Sequence, residues 1–261
     1  MSPLIWQIIT PLLTASLVVI LITIVAERYG TKVGGIFGTL PSTMAVAYIF
    51  ISLNQDANFA SSATVIVPAT MGINILFLLI FVSVISYGFL QALVASLSFW
   101  GLCSIALYFS PIDNIFSSCL IYTVLMVSTF VFIEKYKKIK SQGKVSIVYT
   151  PKKILFRGLF AGIMVTVAVM MTNINEILSG IFSVFPSIFL STMIICVIEH
   201  GPQFTTALGK SMIFGTPTVI SYAISIHFLY PLLPLFWGTV IAYGISLVVV
   251  GILFQIKEKI L

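Results

Sequence analysis

The sequence predicts an all-α transmembrane protein of about nine helices, arranged as two inverted four-helix repeats joined by a connecting helix. Three observations carry this expectation: an apolar composition, a one-sided distribution of cations, and a short motif that recurs at a fixed offset. Of 261 residues, 59% are hydrophobic and 8% charged, and the mean hydropathy is +1.17. Soluble domains carry about a quarter charged residues, so this chain is read as one solvated by lipid.

A helix needs ~20 apolar residues to cross a ~30 Å hydrocarbon core. Uncharged stretches of that kind occupy residues 5–26, 33–53, 66–87, 91–108, 114–133, 154–171, 177–198, 211–229 and 232–256. Span one has no charged stretch before it and no small-residue cleavage site before Glu27 and Arg28, so it is read as a retained helix rather than a signal peptide. Span two carries glycines and Pro41, and span three carries Pro68 and Gly72 as early helix-breakers. Spans four and five lead into 134–153, the long polar stretch of the chain, which reads as a flexible cytoplasmic linker. Span seven carries Pro186, and span eight Gly215 and Pro217. The organisation expected is a first repeat at 1–110, a connecting helix and basic linker at 111–152, and a second, inverted repeat at 153–261.

The 13 Lys and Arg residues fall between spans one and two, around the linker, before span eight and in the tail. With nine spans, all of these regions share one face. The opposite face offers Asp56, Asp113 and Glu176. Basic short loops stay cytoplasmic, which places the N-terminus outside and the C-terminus inside a cell inner (cytoplasmic) membrane. The net charge of +6 is thereby explained as topology-setting charge beside anionic lipid, without a nucleic-acid partner. Cys103, Cys119 and Cys196 lie within spans without metal-ligand spacing and read as packing residues.

Gly35-Ile36-Phe37 and Pro41-Ser42 recur as Gly180-Ile181-Phe182 and Pro186-Ser187, at an offset of 145; Ile49 and Phe59 match Ile194 and Phe204 at the same offset. Five spans separate span two from span seven, so the two motifs enter from opposite faces. Pro41 and Pro186 each lie ~12–14 Å from their own membrane face, near the midplane. Proline in a helix interior removes a hydrogen bond and frees carbonyls, here expected near Phe37 and Phe182. In lipid such carbonyls must be satisfied by protein or by a water-filled cavity. Gly34, Gly35, Gly38 and Gly180 would allow close approach or unwinding, and Ser42, Thr43, Ser187 and Ser191 would offer hydroxyls. Two readings stand at this point: a pair of packing kinks, or two discontinuous helices facing one central site, as in secondary transporters.

Two segments resemble known families. The stretch from Gly180 to Gly251, with its Phe-Pro motif, polar break and Gly-x-Pro helix, resembles the small four-helix GlpM-like membrane proteins. Glu27-Arg28-Tyr29-Gly30-Thr31-Lys32-Val33-Gly34-Gly35, followed by Leu40-Pro41-Ser42-Thr43, is similar to uncharacterised prokaryotic integral membrane proteins. The resemblance implies a bacterial or archaeal inner-membrane protein and transfers no substrate, cofactor or catalytic residue.

Ionisable residues near the bilayer centre are almost lacking. Glu27 and Arg28, with Glu199 and His200, sit at inner ends of spans and read as gate or anchor residues; His227 sits near an outer end. Asn74 and Tyr222 are deeper polar groups, and Asn74 is open to a helix backbone or to a substrate. The chain has no His-Glu-x-x-His, no phosphate loop and two His residues, so neither an intramembrane enzyme nor a nucleotide-driven pump is expected, and no cofactor or metal is implied. The candidate substrate-binding set is Gly35, Gly38, Pro41, Ser42, Thr43, Asn74, Gly180, Pro186, Ser187, Ser191 and Pro217. It suits a neutral, amphipathic or small anionic solute. Two functions remain: a secondary transporter of a small molecule, as a monomer or homo-oligomer, or a non-transporting membrane scaffold or assembly factor.

Overall fold

Asparagine, aspartate and proline mark where the helices of this chain begin. The computed structural model describes residues 5–28, 40–133, 135 and 150–260, and among them all regular structure is helical. A π-helical turn, Ile5–Ile9, opens into α1 (Thr10–Arg28). There follow α2 (Ser42–Asn54), α3 (Ala57–Ala63), α4 (Val67–Val84), α5 (Phe89–Tyr108) and α6 (Ile115–Phe132). The later part comprises α7 (Pro151–Met171), α8 (Glu176–Ser183), α9 (Ser187–Gly215), α10 (Pro217–Leu229) and α11 (Leu235–Ile260).

The side chains of Asp56, Asn114 and Asn175 accept from the backbone N–H three residues on, at 2.7, 2.9 and 2.9 Å, and so start α3, α6 and α8. Pro68, expected to break span three, instead occupies the first turn of α4, whereas Pro217 does stand at an interruption of span eight, in the first turn of α10 after α9 ends at Gly215. There the missing N–H has no helical partner to lose. Gly72 is likewise no breaker: a methyl group there would stand 2.7 Å from Leu125 Cδ1 on α6, so it permits close packing of α4 on α6.

Among the described residues, seven helical runs are long and apolar enough to cross a membrane. One of them, Glu176–Leu229, has 54 residues, and as a straight helix would be ~80 Å long, far more than one crossing. It is divided at Val184–Pro186, at Gly201, where φ is 74°, and at the α9–α10 junction. Span seven therefore does not end at residue 198. Beyond Gly201 the chain resumes as helix through Gly215, where a polar break was expected. The corresponding position in the first part, 145 residues earlier, is Asp56, and it too precedes a helix, α3.

Burial separates an inner from an outer layer. Two thirds of the α4 span is buried (67%), against 22% for α5, α6 and α11. Those outer helices, and α1, present rows of exposed side chains such as Leu13, Leu17 and Leu21, or Leu120, Val124 and Val127. Contiguous apolar faces of this extent need a lipid solvent. The protein is a multi-pass membrane protein by these criteria. The core is filled by Tyr48, Phe77, Phe81, Met44, Tyr222 and Tyr230, each less than 2% exposed.

The tightest helix pair is α1 on α7. Methyl groups at Gly158 and Gly162 would stand 2.9 Å from the Ser16 carbonyl oxygen and 2.6 Å from that of Leu12, so both positions exclude a side chain. The Gly158-x-x-x-Gly162 spacing is a small-residue seam for helix association in lipid.

Candidate functional site

The two proline breaks have the same local geometry. Pro41 has φ −77° and ψ 45°, and Pro186 has φ −73° and ψ 41°. Each is the centre of a three-residue turn: the Ser42 N–H donates to the Leu40 carbonyl at 2.8 Å, and the Ser187 N–H to the Phe185 carbonyl at 2.7 Å. Each then starts a helix, with Ala45 N–H on the Pro41 carbonyl and Leu190 N–H on the Pro186 carbonyl, both at 2.8 Å. The prolines thus do not kink continuous helices. They are the points at which α2 and α9 begin.

Asn74 supports the second break from α4. Its Nδ2 donates to the Val184 carbonyl at 2.7 Å and to the Met71 sulfur at 3.3 Å, while its Oδ1 accepts from the Trp100 indole N–H at 2.8 Å. The carbonyl left over by this break is therefore that of Val184. Phe182, the expected one, accepts from the Phe185 N–H at 3.1 Å. Trp100 also packs edge-on against Phe185 and Phe182, at 4.8 and 6.0 Å between ring centroids.

Both breaks open on one cavity of about 580 Å³ of empty space, open solvent included. Its lining pairs at the offset of 145: Leu40 with Phe185, Pro41 with Pro186, Thr43 with Ile188, Met44 with Phe189, and Asn74 with Val219. Met71, Val184, Met212 and Gly215 complete it. Among the described residues no lining side chain carries a formal charge; Thr43 contributes a hydroxyl and Asn74 an amide already engaged with its neighbours.

The structure brings together Pro41, Thr43, Asn74 and Pro186 of the expected set, and leaves Ser42, Gly180, Ser187, Ser191 and Pro217 outside the lining. Ser42, Ser187 and Ser191 are buried, 7%, 3% and 0% exposed, but do not line the cavity. Ser191 bonds back to the Ile188 carbonyl at 3.2 Å, the ordinary fate of a helical serine. Gly180 is a packing position: a methyl group there would collide with the Ala63 carbonyl oxygen at the end of α3. Pro217 lies between the lining residues Gly215 and Val219 without touching the cavity. Gly34, Gly35, Phe37 and Gly38 lie outside the described residues, as do the side chains of Glu27 and Arg28.

Glu199 pairs with Lys153 at the start of α7, and His200 Nε2 stands 3.9 Å from the other Glu199 oxygen. This joins α9 to α7 immediately before the Gly201 kink. Sequence reasoning assigned Lys153 to the topology charges alone and missed this partner, since nothing local links residues 153 and 199. At the other end Gln7, Asn54 and Thr172 form a chain of hydrogen bonds of 2.8 and 2.5 Å that ties α1, α2 and α7 together. His227 anchors α10 to α3 through Ser61 and Thr64, the Ser61 hydroxyl donating to the His227 carbonyl at 2.6 Å. Of the residues at this end the sequence reading singled out His227 alone; amides and hydroxyls at the span ends are the signal from which the rest could have been found.

Residues 8–112 match a family model described as a protein of unknown function (DUF3147). The match runs from α1 through α5 and stops before α6. No curated protein and no solved structure matches the chain. The match conveys no activity, so the functional reading rests on the cavity.

Proposed function

We propose that this protein is a secondary transporter that moves a small neutral or amphipathic solute by alternating access, with the cavity between the two proline breaks as its solute site. The observation that carries the reading is the pairing of the cavity lining at one constant sequence offset. Residues from two parts of the chain, with matching break geometry, face one another across a shared space. Two inverted halves, with the basic segments cytoplasmic and the N-terminus outside, provide the two bodies that alternating access requires. The resemblance noted for the sequence supports a bacterial or archaeal inner membrane.

The chemistry of the lining narrows the solute. Met44, Met71, Met212 and Phe189 offer apolar, adaptable contact, and no lining cation stands ready to neutralise a strongly anionic ligand. An uncharged or amphipathic solute therefore fits better than the anion also considered from sequence.

The test is a flux screen in proteoliposomes across uncharged and amphipathic small metabolites, comparing the native chain with Met44→Trp, which fills the cavity. A solute that accumulates with the native chain and not with Met44→Trp, at equal protein abundance, supports the reading. Absence of flux for every solute, with Met44→Trp as stable as the native chain, favours the scaffold.

A further inference from the structure

The matched lining of the cavity gives way, one helical turn further on, to a polar cluster on one side only. Tyr48 is four residues beyond Met44 on α2, and Tyr222 three beyond Val219 on α10, so each shares the helix face of a cavity-lining residue. Both are 0% exposed and Tyr230 is 1%. The Tyr48 hydroxyl is directed toward Ser183, whose own hydroxyl donates to the Gly180 carbonyl at 2.7 Å. The Tyr222 hydroxyl is directed toward Tyr230, which already pairs with Thr239 at 2.8 Å. Neither approach reaches hydrogen-bond geometry, and both hydroxyls are left without a partner. The Tyr222 ring also meets that of Tyr243, 6.1 Å away and edge-on.

A buried hydroxyl without a partner is costly, about 1–3 kcal/mol, and two of them, each one turn beyond a cavity-lining residue, are groups that a ligand would satisfy. At the offset of 145, Tyr48 corresponds to Met193, and Tyr222 and Tyr230 to Phe77 and Ile85. Those counterparts are as deeply buried, at 0%, 0% and 4%, and apolar. One turn beyond the cavity lining, buried tyrosines thus stand at positions whose counterparts are apolar.

We infer that Tyr48 and Tyr222 form a head-group subsite for an uncharged amphiphile with a hydroxyl or amide-like group, the apolar body of which occupies the methionine- and phenylalanine-lined cavity. This rests on the reading of that cavity as the solute site. The cluster is closed in this conformation. A head group reaches the hydroxyls from the cavity only where the one helical turn between them gives way.

The experiment uses the full chain in phospholipid nanodiscs with Trp6→Phe and Trp237→Phe, so that Trp100, which bonds the cavity-lining Asn74, is the emitter. The probes are 10-bromo-1-decanol and 1-bromodecane at matched membrane mole fraction, the bromine quenching Trp100 from within the cavity. The alcohol should half-saturate at a concentration about three- to tenfold lower than the bromoalkane, the value of one net hydrogen bond. Tyr48→Phe with Tyr222→Phe should erase that preference, leave the bromoalkane affinity unchanged and leave the unliganded thermal midpoint unchanged or raised. Equal affinity of the two probes for the parent protein, a preference that survives both substitutions, or a midpoint that falls by several degrees would overturn the subsite and leave the cavity standing. Quenching by either probe that is not saturable, and is unaltered by Val219→Phe, which fills the cavity without adding an emitter, would instead remove the cavity reading beneath it.

Discussion

Asn74 satisfies two buried groups with one amide, and that makes it the most exacting single position in the site. Val184 keeps its carbonyl and Trp100 its indole N–H hydrogen-bonded only while Asn74 is present among their described partners. Asn74→Leu has nearly the right volume and neither function, so it should lower stability by about 2–5 kcal/mol, read as a reduced thermal midpoint in detergent; an unchanged midpoint would show that water replaces the amide. The sequence left Asn74 between a structural partner and a substrate ligand. It proved to have the backbone partner and to border the cavity as well. Glu199 is the second such position. Glu199→Gln should reduce flux with little change in abundance, and exchange of the pair, Lys153→Glu with Glu199→Lys, should restore it. Unchanged flux in the single variant would make the pair an anchor.

Among the helices, the breaks at Pro41 and Pro186 separate geometry that is specified locally from geometry that is not. Proline fixes φ and disfavours an α-helical conformation at the preceding residue, so two interruptions were readable from two residues, with kink and helix start left open. Their reuse of the same turn followed from the Pro-Ser repeat. What the breaks face was not readable, because the Ser42, Ser187 and Ser191 hydroxyls point away from the cavity that Thr43, Met44, Ile188 and Phe189 line, and helix rotation depends on packing against distant elements. Pro41→Ala and Pro186→Ala should lower flux more than thermal stability; stability falling first would make the breaks structural. Gly180 is the close-approach position the sequence offered, but the element it approaches was not readable, since its neighbour Ala63 is 117 positions away in sequence. Gly180→Ala should destabilise the α8–α3 contact by about 1–3 kcal/mol, visible as loss of folded protein by size-exclusion chromatography. A profile identical to that of the native chain would mean that α3 yields to the added methyl.

For the molecule as a whole, composition alone indicated lipid as the solvent, because apolar faces on α1, α5, α6 and α11 must meet something other than water. The one-sided cations give orientation its own test: cysteines introduced singly at Ser141 and Asn58 should label from the cytoplasmic and external faces respectively, and labelling of both from one face would remove the inverted arrangement. The central claim is that the cavity between the breaks is a solute site reached alternately from the two sides of the membrane. It is tested most directly with single cysteines at Thr43 and Ile188, one on each break, in a chain in which Cys103, Cys119 and Cys196 have been replaced. Impermeant maleimide is applied to sealed, oriented vesicles from each face in turn. The account predicts that both cysteines react from either face, at rates that fall when the cavity is filled by Met44→Trp. Cysteines that react from neither face, or from one face alone under every condition, would contradict it.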